Sequence, residues 1–391
     1  SSTSNGRDSA GRRLGAKAAD GEYVTIPDRK EAIKYCMEHA GAGDIVILAG
    51  KGHEDYQEIK GVKHHMDERE IIADIIKENP DLKLDGSGVL IGFVDTGIDY
   101  AGSIFLKQDG TTRVIAIWDQ TIPAESPIRL PELPTTLENI TRTPEGFLYG
   151  SEFTHEQLNA AVKMEDAYEG ISSRDENGHG TFLASIAAGN ELPDGSFTGA
   201  APKADIAMVK LKPAKNRLRA YYQIKEDAVA YQENDIMAGV LYLVSLAKKR
   251  QQQLVICLGL GTNAGSHRGS LPLARMLEEL GSSVGITIVA GTGNETSRGH
   301  HFEGQISSES GYEDVEIRVA EGENGFFLEL WASAPETYSV AIRSPNGEVI
   351  PRIYVRPGRI EILNFALAQT RVELSYRLSV TGTGEFLALL R

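Results

Sequence analysis

The stretch Val89-Leu-Ile-Gly-Phe-Val-Asp-Thr-Gly-Ile-Asp99 joins an apolar run to a carboxylate and a tight glycine turn. Six residues of this kind, bounded by Gly88 and Asp95, read as a buried strand whose carboxyl end presents Asp95. Similar short runs follow at Ile206–Leu211, Leu254–Leu258 and Ile286–Ala290. Helical stretches separate several of them, at Thr181–Ala188, Asn234–Lys249 and Pro272–Leu280. Such alternation predicts a parallel sheet with helices on both faces, and reactive groups in such sheets gather at the carboxyl ends of the strands.

Outward from this core the pattern changes twice. Residues 1–21 are rich in Ser, Gly, Arg and Ala and read as a disordered lead-in. Residues 22–80 form a small α/β segment, with a helix over Asp28–Ala40, a strand over Asp44–Ala49 and a helix over Met66–Lys77. Asn79-Pro80 and the turn-rich Leu84–Gly88 separate it from the sheet domain, placed at residues 86–311. Residues 312–391 read as an all-β unit of sandwich or jelly-roll kind. Its strands are expected at Val315–Val319, Gly325–Trp331, Tyr338–Ser344, Ile360–Ala366, Val372–Val380 and Phe386–Leu390.

Bulk composition narrows the function classes. The 391 residues are 41% hydrophobic and 24% charged, as in ordinary globular proteins, and the net charge of -15 disfavours nucleic acid as a partner. No apolar run approaches the roughly 18 residues of a membrane helix, and no secretory pattern opens the chain. Two cysteines, Cys36 and Cys257, form no disulfide framework and read as small buried thiols of a reducing compartment.

Three elements carry candidate chemistry. Asp95 is placed to orient a histidine; read alone, DTG also fits an aspartic-protease loop or a simple turn cap. His179 stands in Asn177-Gly-His-Gly-Thr181 at the mouth of a small-residue helix, where an imidazole can act as general base if an acid fixes its tautomer. Asn294 follows the strand Ile286–Ala290 and Gly-Thr-Gly, and its amide can stabilise an oxyanion. Between them, Leu258, Gly259, Leu260 and Gly261 end a strand with exposed backbone suited to pairing with an extended peptide. The glycines of 259–265 match neither dinucleotide nor P-loop spacing. His64-His65 and His300-His301 lack the spacing of a dedicated metal site, and no metal or cofactor is expected.

In this order the elements resemble the subtilisin-like serine proteases, over roughly residues 86–310. Asp95 matches that family's D-[ST]-G aspartate, His179 its H-G-T histidine and Asn294 its oxyanion-hole asparagine. RVIAIWDQT, PEGFLYGSEFT, AYQENDIMAGV and LVICLGLGTNAGSHRG are similar to the clostridial Csp group of germination-associated subtilases. The resemblance implies peptide-bond hydrolysis by acyl transfer, a protein or peptide substrate, and a jelly-roll insertion for residues 312–391. It also suggests a cytoplasmic or spore-associated setting; oligomeric state is left open.

One departure is serious. The family's nucleophile opens a G-T-S-x-[AS] helix downstream of the asparagine, and no such motif follows Asn294. Ser307, Ser308, Ser310, Ser333, Ser339, Ser344, Ser375 and Ser379 all sit in loop or strand patterns. The expectation is therefore a peptidase scaffold, inactive in this form, whose remainder supplies the serine. The alternative is a non-catalytic pseudoprotease that binds peptides.

A second resemblance lies upstream. Ile26–Ile33, Asp44–Glu54 and Lys63–Glu70 are similar to the C-terminus of MurE-type Mur ligases. Gly50 and Glu54 match family positions that contact the added amino acid. The P-loop, central domain and D-N-P-R motif of those ligases are absent, so this segment is expected to be a remnant without ligation. An inhibitory propeptide is the alternative.

Overall fold

The computed structural model describes residues 26, 28–41, 46, 56–59, 62–79, 84–130, 140–295, 298–380 and 384–391. The lead-in, most of the strand expected at 44–49, Gly50 and Glu54 lie outside the described residues.

Near the N-terminus, α1 (Arg29–His39) packs on α2 (Glu68–Glu78), joined through the hairpin β1 (Tyr56–Ile59) and β2 (Val62–His65). Asp28 caps α1 by accepting the Glu31 N–H at 2.9 Å, which satisfies a free helix-end donor. Ile33 and Met37 of α1 meet Ile71 and Ile75 of α2 in a small core. His65 is exposed and pairs with Glu70 at 2.8 Å, a surface role for this half of the His64-His65 pair.

The central domain is built on six strands. In chain order they are β3 (Val89–Asp95), β4 (Val114–Asp119), β5 (Ser151–Thr154), β6 (Asp205–Lys210), β7 (Gln253–Leu258) and β8 (Ile286–Ala290). Their spatial order is β5-β4-β6-β3-β7-β8; only β5 is antiparallel to its neighbour. All seven residues of β3 are buried, as expected of a central parallel strand covered on both faces. Ile91 and Phe93 face the helix α5 (His179–Ala188), where Ala184 and Ala188 allow close approach. Leu90 and Val94 face α7 (Glu233–Arg250) through Val240, Leu243 and Val244. Gly92 lets α7 in: a Cβ there would lie 2.7 Å from Leu243 Cδ1. The remaining helices are α3 (His155–Val162), α4 (Ala167–Gly170), α6 (Asn216–Tyr221) and α8 (Pro272–Gly281).

The C-terminal region is antiparallel β. A four-stranded sheet runs β12 (Ile360–Phe365), β13 (Thr370–Arg377), β14 (Phe386–Leu390), β9 (Leu328–Ala332). A two-stranded ribbon, β10 (Val340–Arg343) and β11 (Val349–Ile353), packs on it around Leu374, Tyr376 and Phe386. The strand expected at Val315–Val319 does not form. Its period-two alternation finds no partner strand among the described residues, and Val315, Ile317 and Val319 stay exposed. Alternation marks a residue pattern, whereas a strand needs a ladder.

Candidate active site at the carboxyl end of the sheet

The fold carries Asp95 to the end of the most buried strand and His179 to the start of the helix packed on it. These side chains, 84 residues apart in sequence, meet with His179 Nδ1 at 2.7 Å from Asp95 Oδ1. The Thr96 N–H donates to the same oxygen at 2.7 Å. An imidazole whose Nδ1–H donates to a carboxylate keeps its lone pair on Nε2, the arrangement of a general base. Asp95 is 1% exposed and the His179 side chain 42%, so the acid is sheltered and the base faces solvent. Nε2 has no hydrogen-bond partner among the described residues.

Glycine makes this proximity possible. Gly178 precedes α5 in the left-handed region (φ 86°), which turns the chain into the helix. Gly180 is packed so tightly that a Cβ would fall 2.2 Å from the Gly97 carbonyl oxygen. Its N–H donates to Thr96 Oγ1 at 2.9 Å. Gly259 closes the third side, where a Cβ would sit 2.9 Å from His179 Cε1 and 3.1 Å from Asp95 Oδ2. The loops after β3, before α5 and after β7 therefore converge on one dyad.

Burial and the Asp95 carboxylate shape the neighbouring groups. The Tyr231 phenol is pushed up to about 12, mainly by burial and then by the charges of Asp95 and Asp175. Burial also pushes the Cys257 thiol up, with Asp95 adding to it. Both side chains stay neutral beside the dyad at pH 7.

The peptide-binding backbone expected at 258–261 divides in two. Leu258 is buried in the second core, and its carbonyl accepts the Gly291 N–H at 3.1 Å. Gly259 to Gly261 make no backbone hydrogen bond among the described residues. Asn294 lies four residues beyond β8 (294 − 290), on the exposed loop next to the one after β7, and has no hydrogen-bond partner among the described residues. Two contacts order this loop pair. Glu295 pairs with His300 at 2.6 Å, and His267 stacks on His301 with ring centroids 4.5 Å apart. Among the described residues, no group of three or more His, Cys, Asp or Glu side chains is placed to hold a metal ion.

The profile of the subtilase family matches residues 86–326. The chain belongs to the subtilase family. Among solved structures, this subtilase is similar to the Clostridium perfringens CspB protease, at 26% identity and a TM-score of 0.63. The likeness covers 81% of this chain and 59% of that one. Residues ahead of the subtilase domain are similar to UDP-N-acetylmuramoyl-L-alanyl-D-glutamate–2,6-diaminopimelate ligases. The Phocaeicola vulgatus enzyme is 56% identical over 54 residues, 14% of this chain and 11% of that protein. The Geobacillus thermodenitrificans enzyme is 50% identical over 64 residues, 16% of this chain and 13% of that protein. A profile of ribosomal L27 protein matches residues 1–28, the stretch that composition reads as a lead-in.

Sequence reasoning missed the layer behind the dyad. Lys210, at the end of β6, donates to the Arg174 carbonyl at 2.7 Å and to Glu176 at 2.8 Å, anchoring the loop before His179. Ser173 Oγ donates to buried Asp119 at 2.7 Å. Asp175 binds both the loop after Asp95 and the loop around His179. Its one available signal was position, four residues before the histidine and outside any periodic pattern.

Proposed function

We propose that this subtilase carries the acid and base of a serine-type endopeptidase site, with Asp95 orienting His179 and His179 acting as base and then acid. The observation that carries the reading is the 2.7 Å contact between a buried carboxylate and a part-exposed imidazole whose Nε2 has no hydrogen-bond partner among the described residues. Asn294 is the proposed oxyanion donor. Gly259–Gly261, whose backbone is unpaired among the described residues, is the proposed site of an extended peptide, with Leu260 between the glycines and Leu258 before them.

The nucleophile is proposed to come from a serine at the start of a helix outside these 391 residues. The sequence of α5, HGTFLASIAA, has no acidic or basic lysine-type charge on any side, and such a helix is normally covered all round. Here Phe182 (61% exposed) and Ile186 (49%) are open, as is Val289 (49%) on the edge strand β8. Half-buried Val255 and Cys257 lie on the same side of β7 as α5. A helix seated along this strip would bring its N-terminus beside Nε2. Residues 312–391 are proposed as a jelly-roll-like insertion and residues 22–80 as a ligase-like segment without ligase activity. Likeness to the Csp group supports spore germination as the setting.

A serine-directed fluorophosphonate tests this. The 391-residue chain should stay unlabelled, since removing the serine in subtilisin itself costs about 2 × 10⁶ in turnover. Supplying the segment of the C. perfringens protease that follows its matched part should restore labelling, and His179→Ala should abolish it. Labelling of the 391-residue chain alone would refute the reading. The unpaired backbone of 259–261 favours one other role, peptide capture without cleavage; it predicts peptide binding that persists while labelling is never restored.

A further inference from the structure

Asp175 sits behind the dyad and touches neither of its members, yet it binds both loops that carry them. Oδ1 accepts the Thr96 hydroxyl at 2.8 Å and the Gly178 N–H at 2.9 Å, with the Asn177 N–H longer at 3.3 Å. Oδ2 accepts the Thr181 N–H at 2.9 Å and the Thr181 hydroxyl at 2.7 Å. Two further bonds close the net. Thr96 Oγ1 accepts the Gly180 N–H at 2.9 Å, and Thr181 Oγ1 accepts the Asp99 N–H at 3.0 Å. The residue after Asp95 and the residues on both sides of His179 thus converge on one carboxylate.

We propose that Asp175 is a positioning residue, one that fixes the loop after β3 against the first turn of α5 so that His179 Nδ1 remains on Asp95. The proposal rests on the peptidase reading of this dyad and adds a residue to it.

The chemistry requires an ionised carboxylate. All five donors point inward, and a carboxylate has about four lone-pair sites and no hydrogen to place among them. An asparagine would turn its NH₂ toward either the Thr181 pair or the Thr96 and Gly178 pair, breaking one loop attachment. Burial works to raise the Asp175 carboxyl, but the hydrogen bonds from Thr181, Thr96 and Gly178 outweigh it and hold the group below the usual carboxylate range.

The test uses the full chain with ¹⁵N-labelled histidine and needs no nucleophile. Wild type should show a far-downfield His179 Nδ1 proton and a single tautomer with Nε2 unprotonated. Asp175→Asn should lose that proton signal to solvent exchange and show mixed tautomers, with far-UV circular dichroism unchanged. Thr181→Val removes the hydroxyl that donates to Oδ2 and accepts the Asp99 N–H, leaves the Thr181 N–H on Oδ2, and should give a partial loss, which keeps the test open if the asparagine variant folds poorly. Arg113→Leu, destabilised at the far end of α5, should keep the signal. A signal retained in Asp175→Asn, or lost equally in Arg113→Leu, would overturn the positioning role. Absence of the signal in wild type would instead overturn the dyad reading on which it rests.

Discussion

Replacing Gly180 by alanine sets two effects against each other, and the geometry decides between them. Gly180 is the second residue of α5 and has helical backbone geometry, so propensity alone favours alanine by about 0.8–1 kcal/mol. Against this, the added Cβ would lie 2.2 Å from the Gly97 carbonyl oxygen, 3.1 Å from the Gly97 nitrogen and 3.2 Å from Asp95 Cβ. All three obstacles belong to backbone or to the first atom of a buried side chain, so none can rotate away. Relief needs a shift of about 1 Å between the β3 loop and the helix start, and forced overpacking typically costs about 1–3 kcal/mol. That shift also stretches the Gly180 N–H bond to Thr96, worth about 1 kcal/mol. The net expectation is a loss of about 1–3 kcal/mol in urea unfolding, together with loss of the downfield His179 proton. Gly178→Ala provides a contrast. Its Cβ would meet nothing within 4 Å, but the residue has φ 86°, so the cost is about 1–2 kcal/mol of backbone strain. A Gly180→Ala variant more stable than wild type, with the dyad signal intact, would show that the helix start and the DTG turn are not in rigid contact.

Arg113, 4% exposed, donates to the carbonyls of Ala204 (2.9 Å) and Ala188 and to Asn190 Oδ1 (3.1 Å). Arg113→Leu leaves these acceptors buried and unpaired and should cost about 3 kcal/mol; a loss below about 1 kcal/mol in urea unfolding would contradict that role. Burial opposes ionisation of Asp85, but hydrogen bonds from Lys203 and Ser87 take its pKa down to about 2 from 3.8. A carboxyl depressed in the folded state stabilises above its unfolded pKa and loses that effect as pH falls through the folded one. Acid unfolding between about pH 4 and 2 should therefore be less steep in Asp85→Asn, and parallel profiles would refute the linkage. In the C-terminal region Tyr376 OH donates to the Ile353 carbonyl at 2.9 Å and accepts the Val340 N–H at 3.2 Å. Tyr376→Phe should cost about 1–2 kcal/mol and speed hydrogen exchange at Val340; unchanged exchange would place the ribbon's stability elsewhere.

Much of this architecture was legible because the relevant signals are local. A short apolar run bounded by turn residues marks a strand of such a sheet, so the strands expected at Val89–Val94, Ile206–Leu211, Leu254–Leu258 and Ile286–Ala290 form at Val89–Asp95, Asp205–Lys210, Gln253–Leu258 and Ile286–Ala290. Asp95 and His179 were legible too, since each is flanked by glycines where the chain must turn or approach closely. β4 (Val114–Asp119) was missed although its run Val-Ile-Ala-Ile-Trp is local and fully buried; other features that escaped depend on contacts distant in sequence. The Val315–Val319 alternation looks like a strand until the absence of a pairing partner among the described residues is known. β11 (Val349–Ile353) was missed because Pro351 interrupts its pattern, and a proline is tolerated there because the ribbon has only one paired edge. Asp175 escaped for a related reason: its bond to Thr96, 79 residues away, exists only once the fold has brought the two loops together.

The same close packing bears on how the pair of Asp95 and His179 keeps its form. Asp95 Oδ2 is buried without a hydrogen-bond partner among the described residues, a cost that a relaxed chain would shed by turning the carboxylate toward water. It cannot turn. Oδ1 is held by Thr96 and His179, and the Gly259 backbone passes too close to Oδ2 to admit a side chain. The attachments that impose this arrangement come from β3, α5 and β7, neighbouring elements of one rigid sheet domain, and none depends on a serine. Asp95 and His179 are therefore preorganised by packing. A pair built this way should keep its geometry when the proposed helix docks, and docking should change the exposure of Phe182 and Ile186 far more than the distance between His179 and Asp95.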